Sequence, residues 1–361
     1  MVPGLAKPLD LVDASALGGV LVLDRRAGTA TAVLRVSGAG FMLDEPGAQE
    51  TKVQGWGRVL AGVCRQPSVV RVQVLARTVP GGLAPARRWW RDQVTSPVDP
   101  ISAALAAMLD DGFVAPVRRE TLLAVAVRLP RGARHDAGAI GQVATQLAAV
   151  AASLTGAELA GDGWLDRTGL LRSVGEALDP GAVVRADEGP GPVPAVLGAS
   201  EHWSSLTAGT SVHATYWINE WPRAAVHLAF LQPLIQADCG ALSVMAEPLS
   251  TAKALREIRR AKVEHAADAT QRARMGQVED EATRAEVADL ERREAELVAG
   301  HQDLRFTGLL TVSAPDEVTL AERCTAMETA AAQAMCEVRR LVGQQGIAFL
   351  AAALPLARGV L

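Results

Sequence analysis

Lysine is scarce in this chain. Only four of the 36 basic residues are lysines (Lys7, Lys52, Lys253 and Lys262), and none of them follows a glycine. A phosphate-binding P-loop needs glycines that let backbone N–H groups cradle the anion and a lysine that reaches its β and γ oxygens. The sequence therefore excludes that class of NTP-driven motor. Cysteine is scarce as well. Cys64, Cys239, Cys324 and Cys336 lie far apart, with no C-x-x-C among them, which reads as buried free thiols in a reducing compartment. Cys324 and Cys336 fall on one expected helix, more than three turns apart, too far for a disulfide. H-E-x-x-H, G-x-S-x-G and G-x-G-x-x-G are absent, and the six histidines do not fall at metal-ligand spacing, although His202 and His213 could meet in space. The start Met1–Leu5 lacks the charged and apolar regions of a signal peptide, and no uninterrupted apolar run approaches about 18 residues. The expectation is a protein with no enzyme active site, no metal, no cofactor and no membrane span of its own.

What is abundant is core-forming material. Hydrophobic residues make up 49% of the 361 and charged residues 21%, enough to bury one large domain or two ordinary ones. The net charge of −4 weighs against a protein that coats nucleic-acid phosphates. The wealth of Ala, Gly, Val and Arg has the look of a GC-rich coding bias, which weakens arguments from any single Arg or Ala.

Periodicity divides the chain into similar halves. In the first, Val20–Leu23, the turn Arg26–Thr29 and Ala32–Val36 read as a hairpin. Gln49–Val63 has helical spacing, Val69–Leu75 alternates as a strand, and helices are expected at Pro85–Gln93 and Ile101–Leu109. Glu120–Val127 reads as a strand and Ala137–Leu154 as a helix. In the second half, Ser211–Ile218 is an expected strand, Val226–Ile235 a helix and Ala241–Ala246 a strand. A long charged helical region follows over Thr251–Ala299, then a strand at Arg305–Val312 and a helix from Pro315 to about Arg340. Pro315 and Asp316 suit a helix start. Both halves thus run strand, helix, strand, helical insertion, strand, helix. That order predicts an α+β protein of two ferredoxin-like lobes, each a split β-α-β unit with helices inserted between its middle strands. The expected divisions are an N-terminal lobe over 1–155, a helical connector and Gly/Pro-rich linker over 156–198, and a C-terminal lobe over 199–361 carrying a helical arm at 251–299.

The arm begins basic, with Lys253, Arg256, Arg259, Arg260 and Lys262. It turns acidic at Glu279–Glu281 and then mixes both signs through Arg292 and Arg293. Gly276 is the expected break between two helices of a hairpin. The pattern fits a solvated appendage or an arm that docks a partner or sister subunit. Trp203, Trp217 and Trp221 gather around one expected strand, and Trp89 adjoins Trp90. Core packing, a binding hot spot and a stacking platform for single strands are all open to the Trp203 group. The candidate partner contacts are Arg256, Arg259, Arg260, Arg292, Arg293, Trp89, Trp203 and Trp221.

Several segments of the second half resemble a known family: Glu201-His202-Trp203, Tyr216 through Arg223, Glu247-Pro248-Leu249-Ser250 leading into Arg259-Arg260, Arg305 through Val312, and Arg339 through Gln345 with Ala353-Leu354-Pro355-Leu356. The pattern is similar to actinobacterial membrane-anchored proteins encoded with conjugative and type IV secretion-like systems. Those in turn are similar to the non-motor N-terminal region of the large type IV secretion ATPase. The matching residues are structural signatures, so the resemblance implies a role and no active site. That role is a scaffold component acting by protein–protein contacts with subunits of a membrane-associated complex, a motor ATPase among the candidates and self-association left open. Family members usually begin with two transmembrane helices. The sequence here carries none, so attachment at the inner face of the cell membrane is expected through partners or an anchor outside it. The alternative is a degenerate enzyme or ligand-binding regulator with a pocket between two lobes.

Overall fold

A computed structural model describes residues 9–38, 40–41, 43–80, 84–94, 99–110, 117–129, 136–181, 198–222, 226–237, 240–249, 251–275, 281–298 and 303–359. The first half opens with three strands, β1 (Leu9–Ala14), β2 (Gly19–Asp24) and β3 (Thr29–Gly38). The expected hairpin joins β2 to β3. The Asp24 carboxylate accepts from the backbone N–H groups of Arg26 and Ala27, and Gly28 closes the turn at φ +64°. Then come α1 (Pro46–Cys64), β4 (Val69–Pro80), α2 (Ala84–Gln93), α3 (Pro100–Asp110), β5 (Val117–Arg128), α4 (Ala137–Ser153), β6 (Leu159–Trp164) and α5 (Arg167–Leu178). The stretch expected as a helical connector thus holds a strand as well as a helix. Helix α4 starts at Asp136, whose carboxylate accepts from Gly138 N–H, and α5 at Asp166, which accepts from Gly169 N–H.

The second half follows the same order: β7 (Ala199–Glu201), β8 (Leu206–Ala208), β9 (Ser211–Glu220), α6 (Gln232–Gln236), β10 (Ala241–Leu249), α7 (Thr251–Arg274), α8 (Glu281–Val298), β11 (Asp303–Ala314), α9 (Glu317–Gln333), β12 (Glu337–Arg340) and α10 (Gln345–Ala353). Two expectations need correction. The helix placed over Val226–Ile235 is only α6, because Pro233 sits in its first turn and residues 228–231 form a turn before it. The last long helix stops at Gln333 instead of near Arg340. Met335 takes the left-handed conformation at φ +54°, and the next residues become a strand on β9. Residues 182–197 of the expected connector and Gly/Pro-rich linker, and the expected break at Gly276, lie outside the described residues.

The α+β class is as expected, but two lobes with separate sheets are not what forms. All twelve described strands join one antiparallel sheet in the order β1-β2-β3-β5-β4-β10-β11-β9-β8-β7, with β6 also on β3 and β12 also on β9. The join between halves is the pairing of β4 with β10, from Arg77 opposite Ala241 to Val72 opposite Ala246. Strand pleating sends alternate residues to opposite faces. On one face, Leu21, Leu34, Val72, Leu123 and Val125 pack under α1 and α4, and Val212, Tyr216, Leu310 and Val312 pack under α9. The stretch Ala137–Ala157 has the length and mean hydropathy of a membrane span. Its buried positions, Val143, Ala144, Leu147, Val150 and Leu154, form a stripe at helical spacing against the sheet.

The other face is shared between halves. Val20, Val22, Val33, Leu75, Leu122 and Ala124 of the first half belong to the same core as Leu206, Ala208 and Ala241 of the second. Leu170, Val174 and Leu178 of α5, together with Phe349, Leu350 and Ala353 of α10, cover it. The segment after α10 then runs back beneath the first half. Leu356 and Ala357 are buried there, Thr31 Oγ1 donates to the Leu356 carbonyl, and Arg358 pairs with Asp24 at 3.1 Å.

Two polar assemblies are built on β4, and the first of them crosses the seam. Gln73 of β4 is fully buried. Its Nε2 lies 2.9 Å from Ser243 Oγ, 3.0 Å from the Ala351 carbonyl and 3.1 Å from the Leu354 carbonyl, while its Oε1 accepts from Ala357 N–H at 2.7 Å. One side chain thereby ties β4 to β10, to α10 and to the returning segment. Four residues along β4, buried Arg77 donates to Glu120 at 2.6 Å, to Glu176 of α5 at 2.7 Å and to the Ser173 carbonyl at 2.7 Å. Removing one partner from a buried set leaves the others desolvated without compensation. Gln73→Leu is therefore expected to destabilise the protein by about 3 kcal/mol, read from the midpoint of chemical denaturation. An unchanged midpoint would show that the seam does not depend on this side chain.

His213 links α5 to β11 across the shared face. Its Nε2 donates to the Leu178 carbonyl at 3.0 Å and its Nδ1 accepts from the Ser313 hydroxyl at 2.8 Å, with the ring 4.6 Å from that of Phe349. Burial lowers its pKa to about 4, against the opposing pull of the Leu178 carbonyl and of Asp179. The unfolded chain takes up this proton near the ordinary imidazole value of about 6.5, while the folded one resists it. Stability therefore falls as pH drops from 6.5 toward 4, by up to about 3 kcal/mol. In His213→Gln this part of the pH dependence should disappear from thermal melts taken across that window; an identical slope in both proteins would remove the assignment.

Candidate partner-binding surfaces

Among the described residues, the helical arm is anchored through a buried core at one end. Leu249 at the end of β10, Ala254 and Ile258 of α7 and Leu297 of α8 form a small buried core, flanked by Leu255 and Leu290. Ala254 and Ile258 are one helical turn apart, so both face the sheet end together. Arg293 reaches Asp303 at 3.1 Å and Arg305 reaches Glu257 at 3.0 Å, fastening the root to β11. Beyond the root the two helices meet through polar pairs. Lys262 Nζ lies 2.5 Å from Glu294, His265 lies 3.9 Å from Glu286, and Arg272 donates to Thr283 Oγ1. The hydrogen bond from Lys262, helped by its charge, holds the Glu294 carboxyl below the usual range. At 24 residues and a rise of about 1.5 Å each, α7 is about 36 Å long.

The outward face of α7 is the most distinctive surface of the arm. Lys253, Arg256 and Arg260 recur at helical spacing, with Arg259 beside them. All four are exposed; Arg260 pairs with Glu264 at 3.0 Å. Val263 lies one turn farther along the same face and is 68% exposed. An aliphatic side chain among cations is suited to an acidic amphipathic partner, with the cations giving orientation and the apolar group an anchor. Charge alone pointed to this face in the sequence. The bare Val263 was missed, although its spacing from Arg256 and Arg260 was readable there.

The remaining expected contacts are dispersed. Arg292 is exposed on α8 and pairs with Asp289, whereas Arg293 serves the root. Trp89 is exposed on α2. Trp203 is 74% exposed and rests on Gly343, where an added Cβ would come within 3.0 Å of the ring. Trp221 lies half-buried over Gly308 on the face of α9, its ring 2.6 Å from where a Cβ would stand. Trp217 belongs to the opposite face, in register with Arg339 and Leu309. These tryptophans thus lie on different supports and do not form one cluster.

Two cavities are lined by described residues. One cavity of about 160 Å³, lined by Val36, Trp56, Val74, Leu123, Leu154 and Leu159, lies within the first half. Another of about 50 Å³, at the seam, is lined by residues including Thr78, Arg119, Leu234 and Leu242. Small-molecule sites ordinarily span about 300–1,000 Å³. Among the described residues no group of His, Cys, Asp and Glu is arranged to hold a metal, and His202 is exposed while His213 is buried. Cys324 and Cys336 are free and buried; burial raises both thiol pKa values, away from the reactive thiolate. No protein-family model matches the chain, and no curated protein matches it.

The root packing predicts a separable arm. Ile258→Ala should cost about 2–4 kcal/mol locally. Hydrogen exchange would then quicken across residues 251–275 and 281–298 while protection of β4, β5 and β10 stays unchanged. Uniform loss of protection throughout the sheet would contradict an arm held only at its base.

Proposed function

We propose that the protein is a non-catalytic assembly component of a conjugation or type IV secretion-like transfer machine, acting at the inner face of the cell membrane. In this reading the α7–α8 arm grips an acidic segment of a motor or channel subunit, and the sheet is the rigid body from which the arm projects. The observation that carries it is the exposed stripe of Lys253, Arg256, Arg259 and Arg260 around Val263, on a helical hairpin fastened at one end. The family resemblance of the second half supports the same role.

The continuous sheet is, in this reading, a pair of ferredoxin-like units joined edge to edge. Support comes from strand order: β6-β3-β5-β4 in one half and β12-β9-β11-β10 in the other place the first, second, third and fourth strands of each unit alike. The helical insertions α2–α3 and α7–α8 then occupy the same place in the two units, between second and third strands. The joined edges are the second strands, β4 and β10.

The test is affinity capture of motor and channel subunits encoded with this chain, using intact protein and an Arg256→Glu/Arg259→Glu/Val263→Asp variant. Capture should fall at least about tenfold with the variant, since charge reversal at a complementary interface is strongly unfavourable. The purified protein should show no NTP turnover. Full retention by the variant would reject the arm as the contact.

A further inference from the structure

We propose that the sheet face carrying α1, α4 and α9 binds, over the seam, a small monocarboxylic acid with a compact apolar body. Each half covers that face with its own helices, and the two covers leave a strip between them. Val74 and Ala76 of β4 and Val244 of β10 are only partly buried there, although both strands are central in the sheet. Both cavities lie along this strip, and Thr121 of β5 lines the two of them.

The floor of the strip changes character along its length. Three cross-strand pairs of β4 and β5 share this face: Val74 with Leu123, Ala76 with Thr121, and Thr78 with Arg119. They run from aliphatic, through hydroxyl, to guanidinium. The larger cavity, of about 160 Å³, sits at the aliphatic end and is walled by Trp56, Leu154 and Leu159. Apolar space of about 150 Å³ holds a benzene ring, so one ring or a branched chain of similar bulk fits here and a nucleotide does not. The smaller cavity, of about 50 Å³, lies at the other end, between Thr78, Arg119 and Thr121 of the floor and Leu234 and Ile235 of α6. Arg119 is exposed, and its guanidinium has no partner among the described residues. The neighbouring arginines are engaged on the opposite face, where Arg77 and Arg118 pair with Glu120 and Glu176. The acids at the apolar end are engaged as well, Glu158 by Lys52 and Asp162 by Ser37. One open cation flanked by two threonine hydroxyls suits one carboxylate, which accepts hydrogen bonds from both kinds of donor. With the carboxylate there and the apolar body in the larger cavity, one short molecule satisfies both ends of the strip.

The inference uses no residue of the arm and does not rest on the arm reading. Titration of the intact protein with 3-phenylpropanoate at neutral pH, followed by calorimetry and by tryptophan emission, tests it. Saturable binding of one molecule per chain is expected, with a change of emission that Trp56→Phe removes. The uncharged 3-phenylpropanol should bind at least about tenfold more weakly. Arg119→Gln, at an exposed site, should lower the affinity for the acid at least about tenfold and bring acid and alcohol to similar values. Val74→Phe, which fills the larger cavity, should abolish binding of both, with circular dichroism unchanged. Absence of saturable binding overturns the proposal, as does binding indifferent to Arg119→Gln, a readout that stands even where Val74→Phe does not fold. Alcohol and acid binding equally to the unaltered protein overturns it too, and so does full binding by a folded Val74→Phe protein.

Discussion

The pairing of β4 with β10 is the constraint on which the rest of the molecule depends. It is a central pairing in a long sheet, so both strands must satisfy hydrogen bonds on both edges, and both faces above and below must be covered. The upper face is covered by each half with its own helices. The lower face is covered jointly, with Leu178 of α5 and Phe349 of α10 in one core. Gln73 concentrates this dependence. Buried polar groups are tolerated only when fully bonded, and its partners come from β10, from α10 and from the segment beyond α10. An amide placed there specifies a register as well as an attachment: shifting β4 by one residue would turn Gln73 to the face of α1 and α4.

Because β4 and β10 run antiparallel, equivalent connections in the two halves emerge at opposite ends of the sheet. The α2–α3 hairpin leaves the end of β4 and the α7–α8 hairpin the end of β10. The chemistry of the two is opposed. One presents tryptophan and aliphatic side chains, and the other a long charged face with an apolar root. The sheet thus lies between two unlike surfaces.

Much of this order was legible in the sequence. Strands such as Val69–Leu75 and Glu120–Val127 alternate strongly, and the arm declared itself by charge. The short pieces did not. β7, β8 and β12 are three or four residues each, too short for any period to show, and β6 holds two glycines within six residues. Helix α10 reads as an undifferentiated apolar run because it is buried on nearly every side. The continuity of the sheet was also hidden. Nothing local in β4 or β10 marks them as partners; only an inward-facing Gln73, which reaches Ser243, hints at neighbours beyond its own half. Of the candidate contacts, charge found Arg256 and Arg259 on an open face, but it could not separate them from Arg293, whose partner Asp303 lies ten residues away in sequence.

The segment that passes beneath β3 carries an implication for how the chain is made. Thr31 waits for Leu356, a separation of 325 residues, and Asp24 for Arg358. On a ribosome adding about 5–20 residues per second, α5 can cover part of this face as soon as it emerges, but the part that belongs to residues 349–357 stays open until those residues are made. Closure of the lower face is thus a late step of folding.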